Sequence, residues 1–217
     1  MGDKRRLHVD RLDRLPTETG RSSPILPLGG YDDVCCIPLC HMLVKQYADE
    51  SSIANMAALD TPDENLGSAI GCIPSGLFIV TTTQNGETGT MLASWVQQAA
   101  FNPPSVTIAV AKGRHIESLL TPGSALVVNI LEKGQGKLIG HFSKGFEPGI
   151  DPLAGIAIGT APSGQPYLEE AIAYLDAEVV TSLDAGDHSI VLAKLVAGAR
   201  MRDGEVAVHT RKNGFKY

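Results

Sequence analysis

From Cys72 onward the pattern turns to β, with apolar runs separated by turn residues. Residues 76–83 are apolar and β-branched. Val106, Ile108 and Val110 alternate with Thr107 and Ala109, the pattern of a strand with one buried face. Strands are predicted over 76–83, 90–94, 106–111, 125–131, 171–182, 188–201 and 206–209. Asn85-Gly86 marks a hairpin between the first two, since both residues tolerate the positive φ that a tight hairpin turn demands. Asp184-Ala185-Gly186-Asp187 joins the two longest strands.

Helical signals are short. Thr61-Pro62-Asp63-Glu64 has the form of a capping box with proline at the first helical position, opening a helix that ends near Gly71. Residues 115–120 form a second short helix, stopped by Pro122-Gly123, and residues 135–143 a third. Residues 47–59 carry Ile53, Met56 and Ala57 on one helical face, and 145–166 is rich in loop residues. Six or seven mostly antiparallel strands with few helices point to a closed barrel rather than a doubly wound sheet. Residues 1–60 read as an N-terminal extension or linker, with Arg5, Arg6, Arg11, Arg14 and Arg21 among acids and polar residues, and 61–217 as the folded domain.

The length of 217 residues fits one domain with an extension. Eighteen Lys and Arg against 24 Asp and Glu leave a net charge of −6, which argues against a general nucleic-acid binder. Between Glu64 and Lys112 the only charged residue is Glu87, yet prolines and glycines break this stretch, so it reads as buried core rather than a membrane span. The first residues lack the apolar segment of a secretory signal, so a cytoplasmic protein is expected, or a plastid stromal one if a transit peptide was removed. Cys35, Cys36, Cys40 and His41 cluster without a second ligand pair, so they are expected to be reduced packing residues, and no metal site is expected.

Several segments carry candidate chemistry. Gly134 to Gly140 has a dinucleotide-loop look, but its third glycine falls one place late and no βαβ unit surrounds it. Gly159 to Gly164 has phosphate-loop spacing, but Gln165 stands where a lysine is required. Residues 90–104 run from a strand into an irregular stretch of small and polar residues that could approach a flat ring, with Ser94 and Gln98 as hydrogen-bonding groups, or could be a plain strand end. Lys112, Arg114 and His115 lie where a strand meets a helix, which suits either a phosphate site or a solvated basic turn. His188 follows a tight Gly186-Asp187 turn, either exposed or held over a cofactor.

Ala93-Ser94-Trp95-Val96, Phe101-Asn102-Pro103-Pro104, Gly186-Asp187-His188 and the tail pattern His209-x-Arg211-Lys212-x-Gly214-x-x-Tyr217 resemble the flavin reductase-like family. The resemblance is greatest to the C-terminal flavin reductase domain of flavodiiron proteins of oxygenic phototrophs, and it covers residues 61–217. It implies a mainly β, FMN-binding split barrel, antiparallel and Greek-key-like, that takes NADH or NADPH as co-substrate. It also implies a homodimer and a flavodiiron partner domain that receives the electrons. By the same resemblance, Met91, Leu92, Ala93, Ser94, Gln98 and Ala99 would line the flavin ring. Lys112, Arg114 and His115 would lie near its phosphate, and His188 would be the catalytic residue facing the nicotinamide. Gln97 and Ala100 stand where that domain commonly has small hydroxyl residues. They support a second reading, a non-catalytic or weakly flavin-binding dimerisation module on the same barrel.

Overall fold

The computed structural model describes residues 63–146 and 149–215. The cysteine and histidine cluster at 35–41, the helix expected at 47–59 and the extension itself lie outside the described residues. The chain enters the domain through α1 (Glu64–Gly71). Asp63, not Thr61, is its N-cap: the Asp63 carboxylate accepts the Asn65 N–H at 2.9 Å. A carboxylate satisfies an orphan helix N–H and complements the positive end of the helix dipole, so it starts the helix two residues beyond the expected place.

Eleven strands follow among the described residues. β2 (Phe78–Gln84) and β3 (Glu87–Ala93) form the expected hairpin, with Asn85 at φ 53° and Gly86 at φ 83°. β4 (Val96–Phe101) and β5 (Pro104–Ala111) form a second hairpin across a cis Asn102–Pro103 bond. The stretch after Ser94 is therefore a strand rather than irregular, and the Pro-Pro pair turns the chain instead of stopping it. β6 (Ala125–Ile130), β9 (Ala173–Asp184) and β10 (His188–Arg200) complete a seven-stranded antiparallel sheet in the order β3-β2-β6-β9-β10-β5-β4. β1 (Ser75–Gly76) pairs with β11 (Val208–His209). β7 (Ile158–Thr160) pairs with β8 (Pro166–Leu168), so the expected loop at 145–166 contains a strand. Val206 belongs to no strand and bridges to Glu132 instead.

The sheet rolls up because both of its ends feed one core. Met91 and Ala93 from β3 share a buried cluster with Val106, Ile108 and Val110 from β5 and Val191 and Ala193 from β10. Fully burying each such aliphatic side chain is worth about 1.5–3 kcal/mol, which favours the roll. Among the described residues no ladder joins β3 to β4. The barrel is split rather than closed, and Ser94-Trp95 carries the chain across the seam. A second cluster lies outside the barrel. There α2 (Gly136–Phe142) packs Leu138 and Phe142 with Ile79 and Leu168. No helix among the described residues is long and apolar enough to cross a membrane.

Candidate functional site

Side chains on β5 alternate, so Val106, Ile108 and Val110 point into the barrel while Thr107, Ala109 and Ala111 sit on its outer face. Near the seam this outer face is low, because alanines leave space where larger residues would fill it. A cleft of about 280 Å³ forms there. Ala93, Ser94, Ala109 and Ala111 give it small-residue walls, and Trp95 provides a broad aromatic side. Leu77 and Ile139 add apolar cover from β2's approach and α2.

At Arg114 and Ser143 this cleft joins a second one of about 560 Å³. Its lining includes Arg114, His115 and Lys144, with Gly113 and Gly145 keeping the backbone close. Arg114 and Lys144 are exposed, and no described residue forms an ion pair with either. His115 is tied down, its Nε2 2.6 Å from Glu87 Oε1. Thr90, which also lines this cleft, has a buried Oγ1 with no hydrogen-bond partner among the described residues. Such a group costs about 1–3 kcal/mol unless a ligand or water completes it. A larger cleft of about 700 Å³ continues past Thr88 and Ile150. It is lined by Glu87 and Asp151 and by no cation, so it does not extend the basic region.

The expected site residues divide between two places. Met91, Leu92, Ala93 and Ser94 border the first cleft, and Arg114 and His115 the second. Gln98 and Ala99 do not join them. Both are exposed on β4, where Gln98 Nε2 donates to Ala100 O at 3.4 Å. Lys112 also points elsewhere, with its Nζ 2.7 Å from both Asp184 carboxylate oxygens. That contact and the Gly186 N–H hold the Asp184 carboxyl below its usual range. A lysine already neutralised by a carboxylate has less charge to offer a phosphate than Arg114 two residues on, which has no ion-pair partner among the described residues.

His188 is buried and sits opposite Ala111 in the β5–β10 ladder. Its ring lies 5.0 Å from that of Trp95, and its Nδ1 is 2.8 Å from Asp187 Oδ1. The hydrogen bond to His188 lowers the Asp187 pKa, so the carboxylate is an ionised acceptor that fixes the imidazole's orientation. His188 thus backs the aromatic wall and does not itself border the cleft. Gln97 and Ala100 lie off the cleft as well. Gln97 borders an apolar pocket that shares Ser94, Trp95 and Ala109 with the cleft, and Ala100 borders another between β4, β9 and β10.

Sequence reasoning missed Thr90, Ile139, Lys144 and His209. They come from four segments that only the fold assembles: Thr90 opens the 90–104 stretch and Ile139 lies in the Gly134–Gly140 stretch, but neither pattern gives that residue a role, and Lys144 carries no local motif. His209 belonged to the quoted tail pattern, which placed it in the family without giving it a position. Among the described residues no cluster of three or more His, Cys, Asp or Glu is arranged to hold a metal ion.

Comparison with known proteins gives a consistent picture. The model of the flavin reductase like domain matches residues 70–215. Diflavin flavoprotein A 1 of Synechocystis is 46% identical over 166 residues, which is 76% of this chain and 29% of that protein. The chain therefore spans about three-tenths of the length of that curated relative. Among solved structures, the Streptomyces globisporus C-1027 NADH:FAD oxidoreductase SgcE6 is similar with a TM-score of 0.63 and 26% identity, covering 71% of this chain and 93% of its own. Flavin reductase HpaC, solved with NADP+, has a TM-score of 0.56 and 27% identity, covering 67% and 91%.

Proposed function

The chain belongs to the flavin reductase-like domain family, and from that premise we propose that it is an FMN-binding NAD(P)H:flavin oxidoreductase domain. The observation that carries this reading is the pair of joined clefts, one lined by small residues and the other by two cations, Arg114 and Lys144, that have no ion-pair partner among the described residues. An isoalloxazine ring needs a thin apolar slot, and a ribityl phosphate needs charge-assisted donors within reach of it. Thr90 supports the fit, because its buried hydroxyl lacks the partner that a ribityl or phosphate oxygen would provide.

A bound FMN supplies a two-electron acceptor for hydride from NADH or NADPH. The chain's own residues bind and orient. Ala93, Ala109 and Ala111 let the backbone approach the ring face, while Trp95 and Leu77 keep water from one side of it. Arg114 and Lys144 hold the phosphate. Asp187 sets the His188 ring against Trp95, which makes His188 the residue that positions the wall on the nicotinamide side. The span relative to the diflavin flavoprotein supports a module that passes electrons to a flavodiiron-type oxygen-reducing partner domain. Exposed Phe101, Val180 and Val196 suit a homodimer, which light scattering would report as twice the chain mass.

The competing view of a weakly binding dimerisation module rested on Gln97 and Ala100. Neither residue lines the cleft, which supports the catalytic reading, although Gln97 borders the apolar pocket that shares Trp95 with it. Anaerobic titration separates the two functions. The expected result is a yellow FMN complex whose visible absorbance bleaches on adding NADH or NADPH. Stable FMN binding without bleaching by either nucleotide would leave the non-catalytic module.

A further inference from the structure

The last described residues do not simply end the chain on the barrel surface. β11 pairs with β1, Ser75 opposite His209, and His209 borders the first cleft together with Ser94 and Trp95. No described residue forms a hydrogen bond with its imidazole; the one contact at His209 is Ser75 Oγ donating to the backbone oxygen. Two residues on, the Arg211 guanidinium lies 4.9 Å over the Trp95 ring. The tail then docks on α1, where Arg211 N donates to Gly71 O at 3.2 Å and Gly214 N to Gly67 O at 2.6 Å.

This docking depends on missing side chains. A Cβ at Gly71 would lie 2.5 Å from Arg211 O, a backbone atom that cannot swing away. A Cβ at Gly214 would lie 2.3 Å from Ile70 Cβ. The glycine face of α1 is thus a seat for residues 211–214, about two nanometres of chain at most from the cleft wall they support.

Resting on the reading that the first cleft holds the flavin ring, we infer that the C-terminal tail is a wall of the flavin site. His209 hydrogen-bonds the ring end of the flavin, and Gly71 is the positioning residue that holds the tail in place. The imidazole is the polar side chain that this otherwise apolar end of the cleft offers beside the Ser94 hydroxyl. His209 borders the first cleft and not the second, where His115 and Lys144 lie, so it is placed to contact the ring rather than the phosphate.

Equilibrium titration of the full chain with FMN and with riboflavin tests this. His209→Leu is expected to weaken both flavins equally, by about ten-fold, the worth of one lost hydrogen bond. His209→Gln, which keeps a donor, is expected to restore most of the affinity. The visible band of bound flavin should shift in His209→Leu and keep its wild-type position in Arg114→Ala. Gly71→Ala should reproduce both the weakening and the band shift, and combining it with His209→Leu should add little, because the two act as one unit. If Gly71→Ala does not fold, Gly67→Ala is the milder displacement, since its Cβ would meet the movable Asn213 amide at 2.9 Å. Unchanged affinity and band position in His209→Leu, or a loss confined to FMN, overturns the inference while leaving the flavin site intact. A wild-type chain that binds neither flavin removes the underlying reading too.

Discussion

The two faces of β5 do opposite work. Inward-facing Val106, Ile108 and Val110 are almost wholly buried and packed on every side. Outward-facing Ala109 and Ala111, on the same strand and within two residues of them, are half-exposed and border an open cleft. Stability comes from large side chains filling space, and the candidate site comes from small ones leaving it. Because the pleat sends neighbours to opposite faces, one strand can serve both ends without compromise.

Substitutions on the two faces should separate these roles. Ile108→Ala opens a cavity in the core and is expected to cost about 2–5 kcal/mol, read as a lowered midpoint in urea with the slope unchanged. Ala109→Leu should leave that midpoint nearly unchanged yet abolish detectable flavin binding, because its side chain would occupy the cleft. A large stability loss in Ala109→Leu would show that the outer face is packed after all.

The basic turn sharpens the contrast between paired and unpaired groups. Arg114→Ala is expected to weaken FMN roughly ten- to a hundred-fold, the loss of a charge-assisted contact of about 1.5–3 kcal/mol, and to spare riboflavin. Lys112→Ala should change FMN affinity little, because Asp184 already holds that ammonium. The reverse order would move the phosphate to Lys112.

His188→Ala is expected to leave FMN affinity near wild type and slow flavin reduction about ten-fold, a barrier change of about 1.4 kcal/mol. Anaerobic rapid mixing measures it, and an unchanged rate would reduce His188 to packing against Trp95. The smallest effect concerns pH. Asp184 and Asp187 are held below their ordinary carboxyl values, so each contributes stability above about pH 4 that is lost as pH falls through its lowered folded value. Asp184→Asn should therefore lower stability slightly at neutral pH, where the ionised carboxylate contributes, and flatten the acid limb of the stability–pH curve, since no contribution is left to lose there.

Much of this was legible in the chain. Period-two alternation located β5, apolar and β-branched runs bounded by turn residues located β2, β6, β9 and β10, and Asn85-Gly86 marked the first hairpin. β4 escaped because Gln97, Gln98 and Ala99 are exposed on a sheet edge, where no buried face imposes alternation. Asp63 was hidden behind a better-looking Thr61, since two capping residues in one turn compete and sequence alone cannot rank them. Lys112 and Arg114 looked equivalent as a cluster; what divides them is Asp184, seventy-two residues away from Lys112.

The seat of the tail on α1 has a consequence for synthesis. Ser75 and His209, whose pairing brings the tail to the cleft, are 134 residues apart. A chain growing from its N-terminus makes the alanine floor and the aromatic wall early. It cannot complete the cleft until the tail has left the ribosome and returned to the first helix. On the inference that the tail walls the flavin cleft, a nascent chain stalled before residue 209 is expected to fold most of its barrel yet hold flavin poorly.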